Sequence, residues 1–173
     1  METLECIHTR TCIRRFKSED IDDETIKRLI EAAIQAPSAG NTQDWIFIVV
    51  RNIEIKKQIA TAALEQDFIA QAPAVIVVAS NIDAITKAYG ERGRSLYSIQ
   101  DTAAAVQNLL LAAWDRGLGA CWVGAFSEKA ISDILALPSY VRPLAIIPIG
   151  MPAHIPKKPG RKAIKDVIHW EHW

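Results

Sequence analysis

The feature that most constrains the fold is one long predicted helix, from about Leu96 to Arg116. One stripe of apolar residues recurs at helical spacing, and Gly117 follows as a typical helix-ending residue. The stripe consists of Ile99, Ala103, Val106, Leu110 and Ala113. From Leu109 to Trp114 the apolar side chains extend almost all round the helix. A helix of this kind must be buried on most faces. In a small domain that requires either a central position or a partner subunit.

Composition indicates an ordered domain and excludes several classes of protein. Of the 173 residues, 50% are hydrophobic and 23% are charged, which excludes a disordered chain. This length predicts one domain covering residues 1–173. The 20 basic and 20 acidic residues leave no net charge, which argues against a nucleic-acid partner bound by bulk positive charge.

The number of cysteines and the hydropathy of the chain indicate the cellular compartment in which the protein is expected. Three cysteines (Cys6, Cys12 and Cys121) are an odd number in a chain large enough to build a core, so reduced thiols are expected. No apolar run reaches the roughly 20 residues of a membrane span, and the N-terminus lacks an apolar signal core. His169 and His172 have no further ligands nearby, so no metal site is expected. We expect a cytoplasmic protein with no membrane partner.

Helical and strand patterns alternate along the chain. Buried strands are predicted at Trp45–Val50, Ala74–Ala79, Ala120–Val123 and Leu144–Ile149. Further helices are predicted at Glu2–His8, from a cap at Asp22 or Asp23 to a stop before Pro37, at Ile53–Gln66, and from a cap at Ser127 to about Leu135. The stretch from Asn81 to Arg94 is more polar and carries no predicted element. This order favours an α+β fold, with a mixed sheet and helices packed around it.

The basic stretch RTCIRRF is the first candidate site. Arg10 and Arg14 lie four residues apart and share one side of the chain, in a helix or, together with Cys12, in an extended segment. Two guanidiniums aimed at one place suit a phosphate group. The alternative is a solvated basic patch paired with the nearby Glu19 and Asp20.

The loop APSAGNTQDW is the second candidate. Ser38, Asn41 and Gln43 offer small hydrogen-bonding groups between a helix end and a buried strand, and such groups can bind the edge of a heterocycle. The alternative is a turn whose side chains bond to their own backbone.

The order of these segments resembles the FMN-dependent nitroreductase family over essentially the whole chain. The motifs, in order, are R-x-C-x-R-x-F (Arg10 to Phe16), APSAGNxQxW (Ala36 to Trp45), an A-P-hydrophobic strand (Ala72 to Val78), AxxxGLG (Ala113 to Gly119), WVGAF (Trp122 to Phe126), IxxIGxP (Ile146 to Pro152) and an arginine-bearing tail. The resemblance implies a mainly antiparallel central sheet flanked by helices. It also implies a homodimer with the long apolar helix at the interface, in which each non-covalently bound FMN lies at the subunit interface.

The resemblance also implies roles for particular residues. Arg10, Cys12 and Arg14 would hold the FMN phosphate, with Thr11 close by and Arg161 completing the clamp. Residues expected at the flavin ring or ribityl chain are Pro37, Ser38, Asn41 and Gln66. Backbone N–H groups of Val123, Gly124 and Ala125 would lie near flavin N5, where the glycine allows a close approach.

The chain departs from the family pattern at a few positions. Cys12 stands where serine is more usual, and a thiol is a weaker hydrogen-bond partner than a hydroxyl. Asp44 stands where proline is frequent. The region from Asn81 to Arg94 is brief, so any lobe over the flavin would be small.

The resemblance implies an oxidoreductase that uses NAD(P)H to reduce electron-poor acceptors such as nitroaromatics and quinones, by a ping-pong mechanism. The flavin would carry the chemistry, with no catalytic side chain. The alternatives are a flavin store or sensor, and a flavin-dependent dehalogenase or ring-cleaving enzyme. No residue in the sequence distinguishes NADH from NADPH.

Overall fold

The computed structural model describes residues 1–173 and contains one four-stranded sheet. The strands are β1 (Trp45–Val50), β2 (Ala74–Asn81), β3 (Gly119–Ala120) and β4 (Val141–Gly150). They lie in the order β1-β2-β4-β3, and every pairing is antiparallel. The predicted α+β class is therefore confirmed, with an antiparallel sheet throughout.

Seven α-helices surround the sheet. They are α1 (Thr3–Thr9), α2 (Asp23–Ala33), α3 (Ile53–Ala62), α4 (Phe68–Gln71), α5 (Ile82–Arg92), α6 (Ser98–Asp115) and α7 (Glu128–Ile134). Two of the predicted caps are confirmed: Asp22 accepts the Thr25 N–H, and Ser127 accepts the Ala130 N–H. None of the helices has the length and apolar character needed to cross a bilayer.

The core has two parts, one on each face of the sheet. Along β2, Ala74, Ile76 and Val78 face α2 and α6, whereas Val75 and Val77 face the side of α3, α4 and α7. This alternation is the period of two expected of a strand buried on both faces. A helical layer therefore covers each side of β2 and β4.

Helix α6 takes a central position, which is one of the two alternatives that its sequence left open. Val106, Leu110 and Ala113 are buried against the sheet and α2, and α1 covers part of the opposite side. At the start of the predicted stripe, however, Ile99 is 43% exposed. The first residue of the predicted stripe is therefore not fully covered by the same chain.

Several element boundaries were wrong. The predicted helix Ile53–Gln66 ends at Ala62, because Leu64 and Glu65 adopt positive φ angles of 60° and 57°. The predicted strand Ala120–Val123 is only Gly119–Ala120, followed by an isolated bridge from Val123 to Ile146.

Two elements are longer or more regular than predicted. Strand β4 begins at Val141, since a bulge at Val78/Ala79 of β2 lets pairing continue past Pro143. The polar stretch after β2 forms α5, although it buries only Ile82 and Ile85. With only two buried apolar residues, the segment shows no clear helical pattern in the sequence, and so the sequence predicts no helix there.

Candidate functional site

The segment from Arg10 to Arg14 is extended. Helix α1 ends at Thr9, and the Ile13 N–H donates to the carbonyl oxygen of Ala120, 3.0 Å away. Thr11 and Ile13 are buried, while Arg10, Cys12 and Arg14 point to the more open side. The predicted extended arrangement is therefore the one found, with Cys12 between the two arginines.

Close packing fixes this segment against β3. A Cβ atom on Gly119 would lie 2.5 Å from Cγ1 of Ile13, so only glycine lets the two chains approach this closely. The fully buried Ile13 thus anchors the segment and sets the direction of its neighbours.

Neither arginine has an acidic partner. The Arg10 guanidinium contacts Sγ of Cys12 at 4.0 Å, and the Arg14 guanidinium lies 5.8 Å from the ring centre of Phe68. No salt bridge includes Arg10 or Arg14, so both positive charges remain uncompensated within the chain.

The acids that could have paired with them bind elsewhere. Glu19 pairs with Lys17 at 3.5 Å, and Asp20 pairs with Arg51 at 2.8 Å. The alternative interpretation of RTCIRRF as a patch neutralised by Glu19 and Asp20 is therefore wrong.

Unpaired backbone donors follow β3. The Val123 N–H donates to Ile146 at 2.9 Å and so is unavailable to a ligand, which corrects its predicted role. The N–H groups of Gly124 and Ala125 have no hydrogen-bond partner in the protein, and both residues are exposed. A Cβ on Gly124 would meet only the Trp122 side chain, at 3.9 Å. Open space therefore adjoins two free N–H groups.

Gln66 lies beside this backbone. Its side-chain amide donates to the Ala63 carbonyl at 2.7 Å and to the Ala125 carbonyl at 3.5 Å. Two residues later, the Phe68 ring lies against the Arg14 guanidinium in a cation–π contact. The connection between α3 and α4 therefore joins the Arg10–Arg14 segment to residues 124–125.

The C-terminal tail brings two further cations to the same area. Arg161 donates only to the neighbouring carbonyls of Pro159 and Gly160. Lys158 donates to the Ile7 carbonyl at the end of α1, and its pKa is lowered by burial and by the charges of Arg161 and Arg10. Sequence analysis missed Lys158. We call Arg10, Arg14, Lys158 and Arg161 the cationic cluster.

Cys12 has a thiol neighbour. The Cys121 thiol, the Arg10 guanidinium and the Trp122 N–H stabilise its thiolate, and together they lower the pKa of Cys12 to about 5. The hydrogen bond with Cys12, burial and the negative charge of Cys12 raise the pKa of Cys121. No pattern in the sequence indicates this contact, because Cys12 and Cys121 lie far apart along the chain.

The loop from Pro37 to Gln43 is stabilised by a hydrogen bond between two of its own residues. The Ser38 hydroxyl accepts the Gln43 N–H at 3.0 Å, as the turn alternative predicted. Gly40 has φ 53°, and Tyr89 packs so closely that a Cβ there would lie 2.1 Å from its hydroxyl. The side chains of Pro37 and Asn41 are exposed, and that of Asn41 makes no hydrogen bond.

Two buried carboxyl groups lie under this loop. The Ala39 N–H donates to both carboxylate oxygens of Asp101, at 3.0 and 3.1 Å. Asp44 is 2% exposed; Ser80 donates to its Oδ2, and its Oδ1 has no partner. Burial, together with the adjacent Asp44, raises the pKa of Asp101 to about 6. Sequence analysis noted Asp44 but missed Asp101.

The predicted site residues therefore form two separate groups. The loop contacts α6 at Asp101, whereas α1 contacts α6 through Leu111 and Trp114. Ten to thirteen residues of helix correspond to about 15–20 Å. No hydrogen bond or ion pair joins Pro37, Ser38 or Asn41 to the cationic cluster.

Fold and sequence together define the class of protein. The family model described as the nitroreductase family matches residues 7–66 and 60–151. The chain belongs to the nitroreductase family, and it is an oxidoreductase.

Particular relatives agree with this assignment. A Methanothermobacter thermautotrophicus protein, provisionally named NADH dehydrogenase/NAD(P)H nitroreductase, is 34% identical over 100% of this chain and 88% of its own length. The FMN reductase [NAD(P)H] of Bacillus subtilis is 30% identical over 98% of this chain and 74% of its own. The NADPH:FMN oxidoreductase of Vibrio harveyi, solved in complex with NAD⁺, superimposes with TM-score 0.91 and 25% identity, over 99% of this chain and 77% of that one.

Proposed function

We propose that the chain binds FMN and uses NADH or NADPH to reduce electron-poor acceptors. The observation that carries the proposal is the pair of uncompensated arginines, Arg10 and Arg14, beside the free N–H groups of Gly124 and Ala125. Charged and neutral donors that lack partners in the protein are suited to an anionic, hydrogen-bonding ligand.

The residues present fit an FMN phosphate. Arg10, Arg14 and Arg161 each offer a planar set of N–H donors, and a phosphate ester offers acceptor oxygens and negative charge. Cys12 lies between the first two arginines and would contact the same group. Thr11 is buried next to them and would position them through the backbone.

The free N–H groups fit the flavin ring. Gly124 and Ala125 can donate to a ring nitrogen or carbonyl oxygen without any titratable side chain. Gln66, whose amide lies against the Ala125 carbonyl, would contact the pyrimidine edge. Val123 would support this backbone through its bridge to β4 rather than bind the ring itself.

When bound, FMN would supply the hydride and electron transfer between the nicotinamide and an acceptor such as a nitroaromatic or a quinone. The chain would contribute binding and orientation, with no side chain acting as an essential acid or base. A single open face of the site would admit the two substrates in turn, which gives a ping-pong mechanism.

A homodimer completes the site in this proposal. Pro37, Ser38 and Asn41 lie near one end of α6 and the cationic cluster near the other, so the loop of one subunit would meet the cluster of its partner. The tail supports this, since residues 161–173 are all exposed and Trp170 and Trp173 are 78% and 101% exposed. Sedimentation velocity tests it: we expect a dimer at micromolar concentration, and a monomer that retains FMN would contradict it.

Anaerobic titration tests the enzymatic role. FMN fluorescence should be quenched on mixing with the protein, and adding NADH or NADPH under nitrogen should bleach the yellow colour within seconds. A nitroarene or quinone should then restore the colour. Bound flavin that neither nucleotide bleaches would indicate a store or sensor instead, and unquenched FMN would remove the proposal.

Steady-state kinetics tests the single site. Double-reciprocal plots at several acceptor concentrations should be parallel, with each substrate inhibiting at high concentration because both compete for one face. Intersecting lines would require a ternary complex and separate binding places.

A further inference from the structure

Two cysteines meet beside the cationic cluster. The hydrogen bond from the Ile13 N–H to the Ala120 carbonyl holds their two backbone segments side by side, with Cys12 and Cys121 next to the bonded residues. The Cys121 thiol, which also contacts the Trp122 carbonyl oxygen at 3.8 Å, is the first cause of the lowered pKa of Cys12, in keeping with this proximity. All three cysteines of the chain are free thiols.

The two thiols differ in access. Cys12 is half-buried on the open side of the segment, and its sulfur lies 4.0 Å from Nη1 of Arg10. Cys121 is 1% exposed. A small oxidant from solvent therefore reaches Cys12 first, and the Cys121 thiol together with the Arg10 guanidinium favours the reactive thiolate form of that sulfur.

We propose that Cys12 and Cys121 form a peroxide-reactive thiol pair, in which hydrogen peroxide oxidises Cys12 and Cys121 resolves the product as an intramolecular disulfide. Nothing in the proposed flavin chemistry requires either thiol to change its oxidation state.

The chemistry balances in two steps. The Cys12 thiolate attacks one oxygen of the peroxide, the O–O bond breaks, and the departing hydroxide takes a proton to become water. Cys121 then attacks the sulfenic sulfur of Cys12, its proton leaves with the S–OH oxygen as a second water, and the S–S bond forms. Two thiols lose two electrons and one peroxide gains them.

The second step is assisted by the first. The negative charge of Cys12 opposes ionisation of Cys121 in the reduced protein. A sulfenic acid carries no such charge, so oxidation of Cys12 removes that obstacle to Cys121 acting as a nucleophile.

A consequence for the cofactor rests on the proposed function. If Arg10 and Arg14 hold the FMN phosphate, the phosphate covers Cys12, and a disulfide removes the thiol between the two arginines. FMN and peroxide would then oppose each other: bound FMN slows the oxidation, and the disulfide weakens FMN binding.

Peptide mapping tests the pair in the full chain. Trypsin places the three cysteines in separate peptides, with Cys6 in Met1–Arg10, Cys12 in Thr11–Arg14 and Cys121 in Gly117–Lys129. After peroxide treatment without FMN, mass spectrometry should find the last two joined, lighter by two hydrogens than their sum and separated again by dithiothreitol.

Cys6 is the matched control within the same molecule. Its thiol donates to the Leu111 carbonyl at 3.4 Å, and burial raises its pKa, so we expect it to react at least about tenfold more slowly than Cys12. In Cys121→Ser, oxidation should stop at a Cys12 sulfenic acid that dimedone traps. In Cys12→Ser, Cys121 should stay reduced.

Three results would overturn the pair: equal oxidation of Cys6 and Cys12, overoxidation of Cys12 while Cys121 stays reduced, or a disulfide between two chains. A repeat with saturating FMN separates this proposal from the proposed function. Slower disulfide formation supports both, whereas an unchanged rate supports the thiol pair and contradicts the placement of the phosphate.

Discussion

The cationic cluster and the Pro37–Gln43 loop differ in how their polar groups are satisfied. In and beside the cluster, Arg10 and Arg14 have no counter-charge, and two N–H groups have no acceptor. In the loop, the Ser38 hydroxyl accepts the Gln43 N–H, and both carboxylate oxygens of Asp101 accept the Ala39 N–H. The difference supports the proposal that the first region binds an external ligand, whereas the shape of the second is set by hydrogen bonds within the protein.

Removing a guanidinium should test the first half of this comparison and give the largest effect. We expect Arg14→Ala to weaken FMN binding by about 1.5–3 kcal/mol, the range for a charge-assisted hydrogen bond, or roughly 10- to 150-fold in Kd. Fluorescence titration measures it.

Arg15→Ala is the matched control for this variant. It removes the same charge from the adjacent residue, whose exposed side chain has no hydrogen bond or ion pair. Equal losses in the two variants would mean that general positive charge, rather than a fixed contact from Arg14, attracts the flavin.

The buried carboxyl pair allows a test of the second region. The pKa of Asp101 is raised to about 6, so the folded state favours its protonated form, and stability falls as pH rises from the unfolded value near 4 through 6. Asp101→Asn removes this charge, keeps an oxygen for the Ala39 N–H, and offers an amide to the unpaired Oδ1 of Asp44.

We therefore expect Asp101→Asn to have a higher free energy of unfolding than the parent. This gain should be about 2 kcal/mol larger at pH 8 than at pH 4. Urea unfolding at the two pH values measures the difference. Glu31→Gln, an exposed acid on α2, should show no such dependence. A gain that is the same at both pH values would contradict the carboxyl pair.

The sequence predicted the parts that depend on local pattern. The run Ala74–Ala79 is a buried strand because its residues are apolar on both faces. The run Trp45–Val50 is also a strand, but it lies at the sheet edge, where only Trp45 and Val50 are buried. The alternation of Thr11 and Ile13 with the arginines follows from an extended chain. Burial at Asp101, the use of the Val123 N–H in the sheet, and the contact of Cys12 with Cys121 could not be predicted in this way. Each depends on a partner that is distant in sequence and brought near only by the fold.

Ser38 gives the smallest expected effect and compares the two regions most directly. The resemblance to nitroreductases places this residue at the flavin, yet its hydroxyl already accepts the Gln43 N–H, on a residue with φ 50°. Ser38→Ala should therefore lower the free energy of unfolding by about 1 kcal/mol, the usual value of one hydrogen bond.

The same variant should weaken FMN binding less than Arg14→Ala does, because its main partner lies within the loop. Ser132→Ala on α7 is the control: that hydroxyl bonds to the Glu128 carbonyl within a helix, where alanine is well tolerated, so stability should change by less than about 0.5 kcal/mol. If Ser38→Ala instead left stability unchanged and matched Arg14→Ala in the loss of FMN affinity, the hydroxyl would have to face the ligand. The loop would then be part of the proposed FMN site, as the cationic cluster is.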